Sequence, residues 1–173
     1  LKMEGKKSCG AFAGVCFGTV ENCFATGTIK AKEAVGGLVG KCEGELRNCV
    51  SYMKVKGKSL VGGLVGNILG GAVENCYVGG SVTVSGGKAS AGGVAGTFAI
   101  ATYLRNVASV IREVSGDEGA SDIDRLVGTL ESESGTNITN NYIWEGAILN
   151  GNAPVEHPNR SIAQAVSTET LMS

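Results

Sequence analysis

Residues 61–76 read VGGLVGNILGGAVENC, and residues 35–49 read VGGLVGKCEGELRNC. The same frame occurs earlier as CGAFAGVCFGTVENC at 9–23 and later as AGGVAGTFAIATYLRNV at 91–107. A degraded copy begins with IDRLVG at 123 and ends with NITNNY. Taking the final glycine of each opening hexad as an anchor gives Gly14, Gly40, Gly66, Gly96 and Gly128, at spacings of 26, 26, 30 and 32 residues. Each copy closes on an asparagine, at Asn22, Asn48, Asn75, Asn106 and Asn140, two residues after Val20, Leu46, Val73, Leu104 or Ile138.

The segments after these asparagines alternate with period 2, which is strand patterning and not the 3.6 period of a helix. After Asn48 one face carries Cys49, Ser51, Met53 and Val55; after Asn75 it carries Cys76, Val78, Gly80 and Val82; after Asn22 it carries Cys23, Ala25, Gly27 and Ile29. A unit of this length holds two or three short strands and cannot bury a core by itself. Stacking equivalent strands about 4.8 Å apart makes the core continuous. The reading is an all-β, single-stranded right-handed β-solenoid (β-helix) of about five coils with a short irregular C-terminal tail. In it the glycines supply tight corners and positive φ. The asparagines are corner residues directed into the stack, their amides bonding from coil to coil as a structural ladder.

Composition agrees with a packed repeat. The chain has 173 residues, 28 of them glycine, with only two prolines and 43% hydrophobic residues. That apolar fraction excludes a disordered glycine-rich linker, and the scarcity of proline excludes collagen. The net charge of −1 gives no drive toward nucleic acid. The charge is divided, however: residues 1–88 carry eleven basic and six acidic side chains, net +5, and residues 89–173 carry four and ten, net −6. No apolar run reaches the roughly 18 residues of a membrane span, so no membrane insertion by this segment is expected.

Every cysteine occupies a slot held by an aliphatic residue in another coil. Cys23, Cys49 and Cys76 share the slot of Val107; Cys16 and Cys42 share that of Ile68; Cys9 shares that of Val35 and Val61. Buried, reduced thiols follow, with a Cys16–Cys42 bridge between adjacent coils as the alternative. A zinc site is not indicated, because close cysteine pairs are missing and the single histidine, His157, lies in the tail.

The pattern G-G-L-V-G, a short glycine-containing turn, then apolar-x-N-C-Y resembles the GLUG repeat of bacterial surface proteins, most closely in VGGLVGNILGGAVENCY. Similar repeats occur in the non-catalytic N-terminal regions of IgA-protease-type zinc metallopeptidases and in adhesin-like proteins. The resemblance spans residues 9–150, with Asp124 and Arg125 in coil five standing where Gly-Gly is expected. It implies a secreted, cell-surface module without catalytic residues of its own. Residues 1–8 read as the end of a preceding coil or a cap, since Met3 shares the register of Ile29 and Val55. Residues 151–173 read as a capping or linker tail with a short helix at 161–172.

Two clusters could carry chemistry. Asp117, Glu118, Asp122 and Asp124 fall in an insertion between coils four and five, where a solvated loop is weighed against glycan hydrolysis or Ca2+ binding. Lys6, Lys32, Lys58 and Lys88 each lie eight residues before an anchor glycine, and Lys30 and Lys56 form a parallel pair. This lysine stripe is either a solvated face or an anion-binding stripe for an acidic polymer, such as a teichoic-acid-like chain or sialylated glycan. No nucleophile, phosphate-loop or metalloprotease motif is present, so no enzyme, cofactor or metal is expected in this segment. The expected function is that of a structural or adhesive repeat module, monomeric, whose partner is a host or cell-wall glycan or surface protein. The alternative is an accessory region of a secreted zinc metallopeptidase with its catalytic domain outside this chain. A glycan-acting β-helix enzyme ranks third.

Overall fold

The computed structural model describes residues 1–87, 89–99, 102–131, 137–151 and 163–172. Over these residues the chain is an all-β solenoid of four parallel sheets, to which successive coils add strands in turn. Coil two shows the unit: Glu33–Gly36, Val39–Cys42, Glu45–Arg47 and Val50–Gly57. The long fourth strand belongs to a nine-stranded sheet, here sheet I. The first three belong to sheets II, III and IV, of five strands each. The coil therefore holds four strands and not two or three, because its tight corners leave room for strands of only three or four residues.

The register is the one the anchors dictate. Cys9, Val35, Val61, Ala91 and Ile123 are successive partners in sheet II. Val20, Leu46, Val73, Leu104 and Ile138 are successive partners in sheet IV. A one-residue slip would turn an entire inward row to solvent, so the apolar rows fix the pairing. Leu46, Leu64, Ile68, Val73 and Leu104 have no exposed surface, and the core runs unbroken along the stack. The buried Ser51 is no exception, because its hydroxyl donates to the Gly63 carbonyl at 2.6 Å.

The hexad glycines act through space and not through φ. None of them has a positive φ; all but Gly14, which is crowded by Ser8 O of its own coil, lie where the backbone of a neighbouring coil leaves no room for a Cβ. A Cβ on Gly36 would meet Val39 and Leu64 carbonyls, and one on Gly92 would meet Leu126 O and Gly128 N. Coil five is the last strand layer of sheets II to IV among the described residues. Asp124 and Arg125 stand there in place of Gly-Gly, and the Arg125 side chain is buried.

The left-handed corners belong to the asparagines. Asn22, Asn48, Asn75, Asn106 and Asn140 have φ between 52° and 55°. Their side chains are exposed and do not point into the stack, because the inward slot at each corner is taken by the next residue, such as Cys49 or Val107. Between the side chains of coils three and four, Asn106 Nδ2 donates to Asn75 Oδ1 at 3.0 Å. The backbone conformation is thus the main demand on these positions. Asn48→Gly is expected to leave the urea midpoint nearly unchanged. Asn48→Ala, which must hold a Cβ in the left-handed region, is expected to lose about 1–2 kcal/mol. Equal losses in both variants would mean that the side-chain amide, not φ, is what matters.

The C-terminal helix is shorter than the 161–172 span read from sequence. It covers Thr168–Met172, and Gln164–Val166 instead forms a strand on Tyr142–Trp144 in sheet I. Val166 packs inward, and Trp144 Nε1 donates to Thr168 Oγ1 at 2.9 Å. Residues with apolar side chains at the right offset extend the sheet by one more layer before the helix begins.

Candidate anion-binding face

Alternation along Val50–Gly57 sends Ser51, Met53 and Val55 inward and Tyr52, Lys54 and Lys56 outward. Parallel in-register stacking turns each outward position into a column along the solenoid. One column contains Glu4, Lys30, Lys56, Thr83 and Ser115. The next contains Thr28, Lys54, Ser81 and Glu113. Around the corner toward sheet II, Lys32 N donates to Lys6 O at 3.2 Å and Lys58 N to Lys32 O at 2.9 Å, so Lys6, Lys32 and Lys58 stack as a third column. Lys88 lies outside the described residues.

All six of Lys6, Lys30, Lys32, Lys54, Lys56 and Lys58 are exposed. Between the lysine columns lies a shallow concavity of about 390 Å³, lined by Lys30, Lys32, Lys56 and Lys58 with Glu4, Thr83 and Ser85 at its ends. A second, of about 450 Å³, adjoins it on sheet I and is lined by Tyr52, Lys54, Thr26, Thr28, Arg112 and Glu113. The Tyr52 ring lies across the neighbouring strand at Gly79, where a Cβ would come within 2.5 Å of the ring. Tyr52 as a whole is nevertheless 47% exposed.

The other residues singled out in the sequence do not assemble a reactive centre. Asp117 and Glu118 are exposed on a turn closed by Ala120 N to Asp117 O, and Asp124 accepts from Leu126 N. No group of three metal-ligating side chains occurs among the described residues. All six cysteines are free thiols, Cys16 and Cys42 included, and each donates to a backbone carbonyl two residues away in sequence. Burial pushes the Cys42 and Cys76 thiols up to about 12, with neighbouring cysteines adding to the effect. A thiol so reluctant to ionise is a packing group and a poor nucleophile.

Lys54 adjoins the Lys30–Lys56 pair, as the sequence indicates, whereas Tyr52, Thr83 and Arg112 join this face although the lysine spacing did not single them out. The signal was available: once Ser51, Met53 and Val55 are read as inward, residues 52, 54 and 56 must face out.

The repeat unit itself has a known counterpart. Residues 57–83 match the GLUG motif. The match begins at the buried corner glycine before coil three, runs through the hexad and the Asn75–Cys76 corner, and ends on the wide sheet at Thr83. It covers one full turn of the solenoid, which identifies the motif as a coil. Neither a curated protein nor a solved structure matches the chain.

Proposed function

We propose that this chain is a non-catalytic structural and adhesive module of a secreted or cell-surface bacterial protein. The observation that carries this reading is where the chemistry lies. Repeated residues form the core and corners, the most hindered thiols are inside, and the outward columns of sheet I hold lysine, threonine and tyrosine. Such a surface can hold a ligand but offers no activated nucleophile or paired acid and base. The GLUG match supports the extracellular setting, since the repeat resembles those of bacterial surface proteins.

The chain is expected to release no products from casein, immunoglobulin A or polyuronates. Reproducible turnover that survives repurification, and that follows the protein through a second column, would overturn the module reading. A metalloprotease domain encoded in the same gene would shift the assignment to an accessory region of that enzyme.

A further inference from the structure

Charge is arranged in two different ways on this solenoid. On sheet IV the outward column reads Glu21, Arg47, Glu74, Arg105, alternating in sign from coil to coil. Arg105 and Glu74 close an ion pair at 2.6 Å across that column. At the edge of sheet I, Lys30 stands directly beside Lys56, and Lys32 lies between Lys6 and Lys58. Like charges placed directly opposite destabilise parallel neighbours. Among the described residues the ion pairs are Lys7–Glu33, Arg47–Glu45 and Arg105–Glu74, and none engages a stacked lysine. The fold therefore has a way to neutralise a charged column and does not use it between the stacked lysines, Glu4 standing only at the end of the Lys30–Lys56 column.

We propose that the outer face of sheet I and its lysine corner bind an acidic polysaccharide of the polyuronate type, laid along the solenoid axis. The inference rests on the adhesive reading and names its ligand. Lys30, Lys32, Lys56 and Lys58 form two adjacent columns, so that one carboxylate can be met from two coils at once. The two coils lie about 4.8 Å apart, close to the advance of an extended sugar chain, and Lys6 carries the corner column into a third layer. Tyr52, held against Gly79 and still 47% exposed, offers a sugar ring an aromatic surface to stack on. Thr26, Thr28 and Ser81 place hydroxyls around that ring for the sugar oxygens. A phosphate polymer would use the lysines and have no need of the tyrosine or the hydroxyls. The platform and the charge together select an acidic sugar.

The experiment is affinity electrophoresis of the full chain through native gels containing polygalacturonate, neutral dextran or polyphosphate. Polygalacturonate should retard the wild type, dextran should not, and high salt should remove the effect. Lys32→Gln/Lys56→Gln/Lys58→Gln should weaken retardation at least about tenfold. Tyr52→Ala should weaken it by several-fold in polygalacturonate while leaving migration in polyphosphate unchanged. The lysines are exposed and their mutual repulsion is relieved by glutamine, so the triple variant should melt no lower than wild type, and both variants should keep the wild-type circular-dichroism spectrum, which separates lost binding from lost fold. Absence of retardation by polygalacturonate, equal retardation of wild type and the triple variant, or indifference to Tyr52→Ala would each overturn the proposal. A chain that is folded and inactive but fails these tests refutes only the ligand; a chain that cleaves the polymer refutes the module reading itself.

Discussion

Gly66→Ala is expected to cost about 3 kcal/mol or more and to lower the urea midpoint markedly. Gly66 lies in the middle of the stack, and a Cβ there would sit 2.5 Å from Ala34 C and Val35 N and 2.7 Å from Gly40 O. All three atoms are backbone of the preceding coil, already fixed by parallel hydrogen bonds to both sides, so none can yield as a side chain would. Relief requires the coils to separate, which opens voids along the apolar rows through Leu64 and Ile68. Gly18→Ala is the matched control. It is also a glycine of the repeat region with a non-positive φ, but no atom lies within 4 Å of the added methyl. Its expected effect is within about half a kcal/mol. Urea denaturation of the two variants beside wild type decides the matter. Similar midpoints for Gly66→Ala and Gly18→Ala would mean that the hexad glycines are not where the coils approach most closely.

This contrast also shows what could be read from the sequence and what could not. The register was legible because a repeat aligns itself: Val20 with Leu46, and Lys30 with Lys56, are statements about spacing that parallel stacking turns directly into neighbours. The asparagine corners were legible as left-handed positions for the same reason. Their outward direction was not, because a period of two says which residues share a face only after the corner has been crossed, and Asn48 sits in the corner itself. The role of the glycines was also hidden. A sequence shows a missing side chain but not whether φ or a neighbour's carbonyl demands it, and here the neighbour lies a whole coil away. The candidate face was half legible. The lysine stripe follows from spacing, whereas Tyr52 occurs once and has no copy in other coils to mark it.

Stability is expected to fall steeply above about pH 9, and the buried thiols supply a distinct part of that fall. In the folded chain burial holds Cys42 and Cys76 at about 12, against an ordinary 9.0. The folded values lie above the unfolded ones, so their contribution is complete below about pH 9 and is lost as pH rises toward 12. In that window the unfolded chain has released protons that the folded chain still holds, and alkali draws the equilibrium toward the unfolded side. Each thiol adds about 1.4 kcal/mol of loss per pH unit, or close to 3 kcal/mol per unit for the two. The Cys42→Val/Cys76→Val variant removes both titrations with side chains the fold already accepts, because Ile68 follows Cys42 in its column and Val107, whose neighbour Ala108 N donates to Cys76 O, follows Cys76 in its own. Urea midpoints measured from about pH 8 to about pH 11 should fall steeply for wild type and much less for the variant, even if the variant starts lower. Iodoacetamide offers an independent reading at mild pH, where Cys9 and Cys23, partly exposed, should react before Cys42 and Cys76. Parallel pH profiles for wild type and variant would show that these two cysteines are not held neutral in the core, and the solenoid's inner columns would then have to be more open to water than their burial indicates.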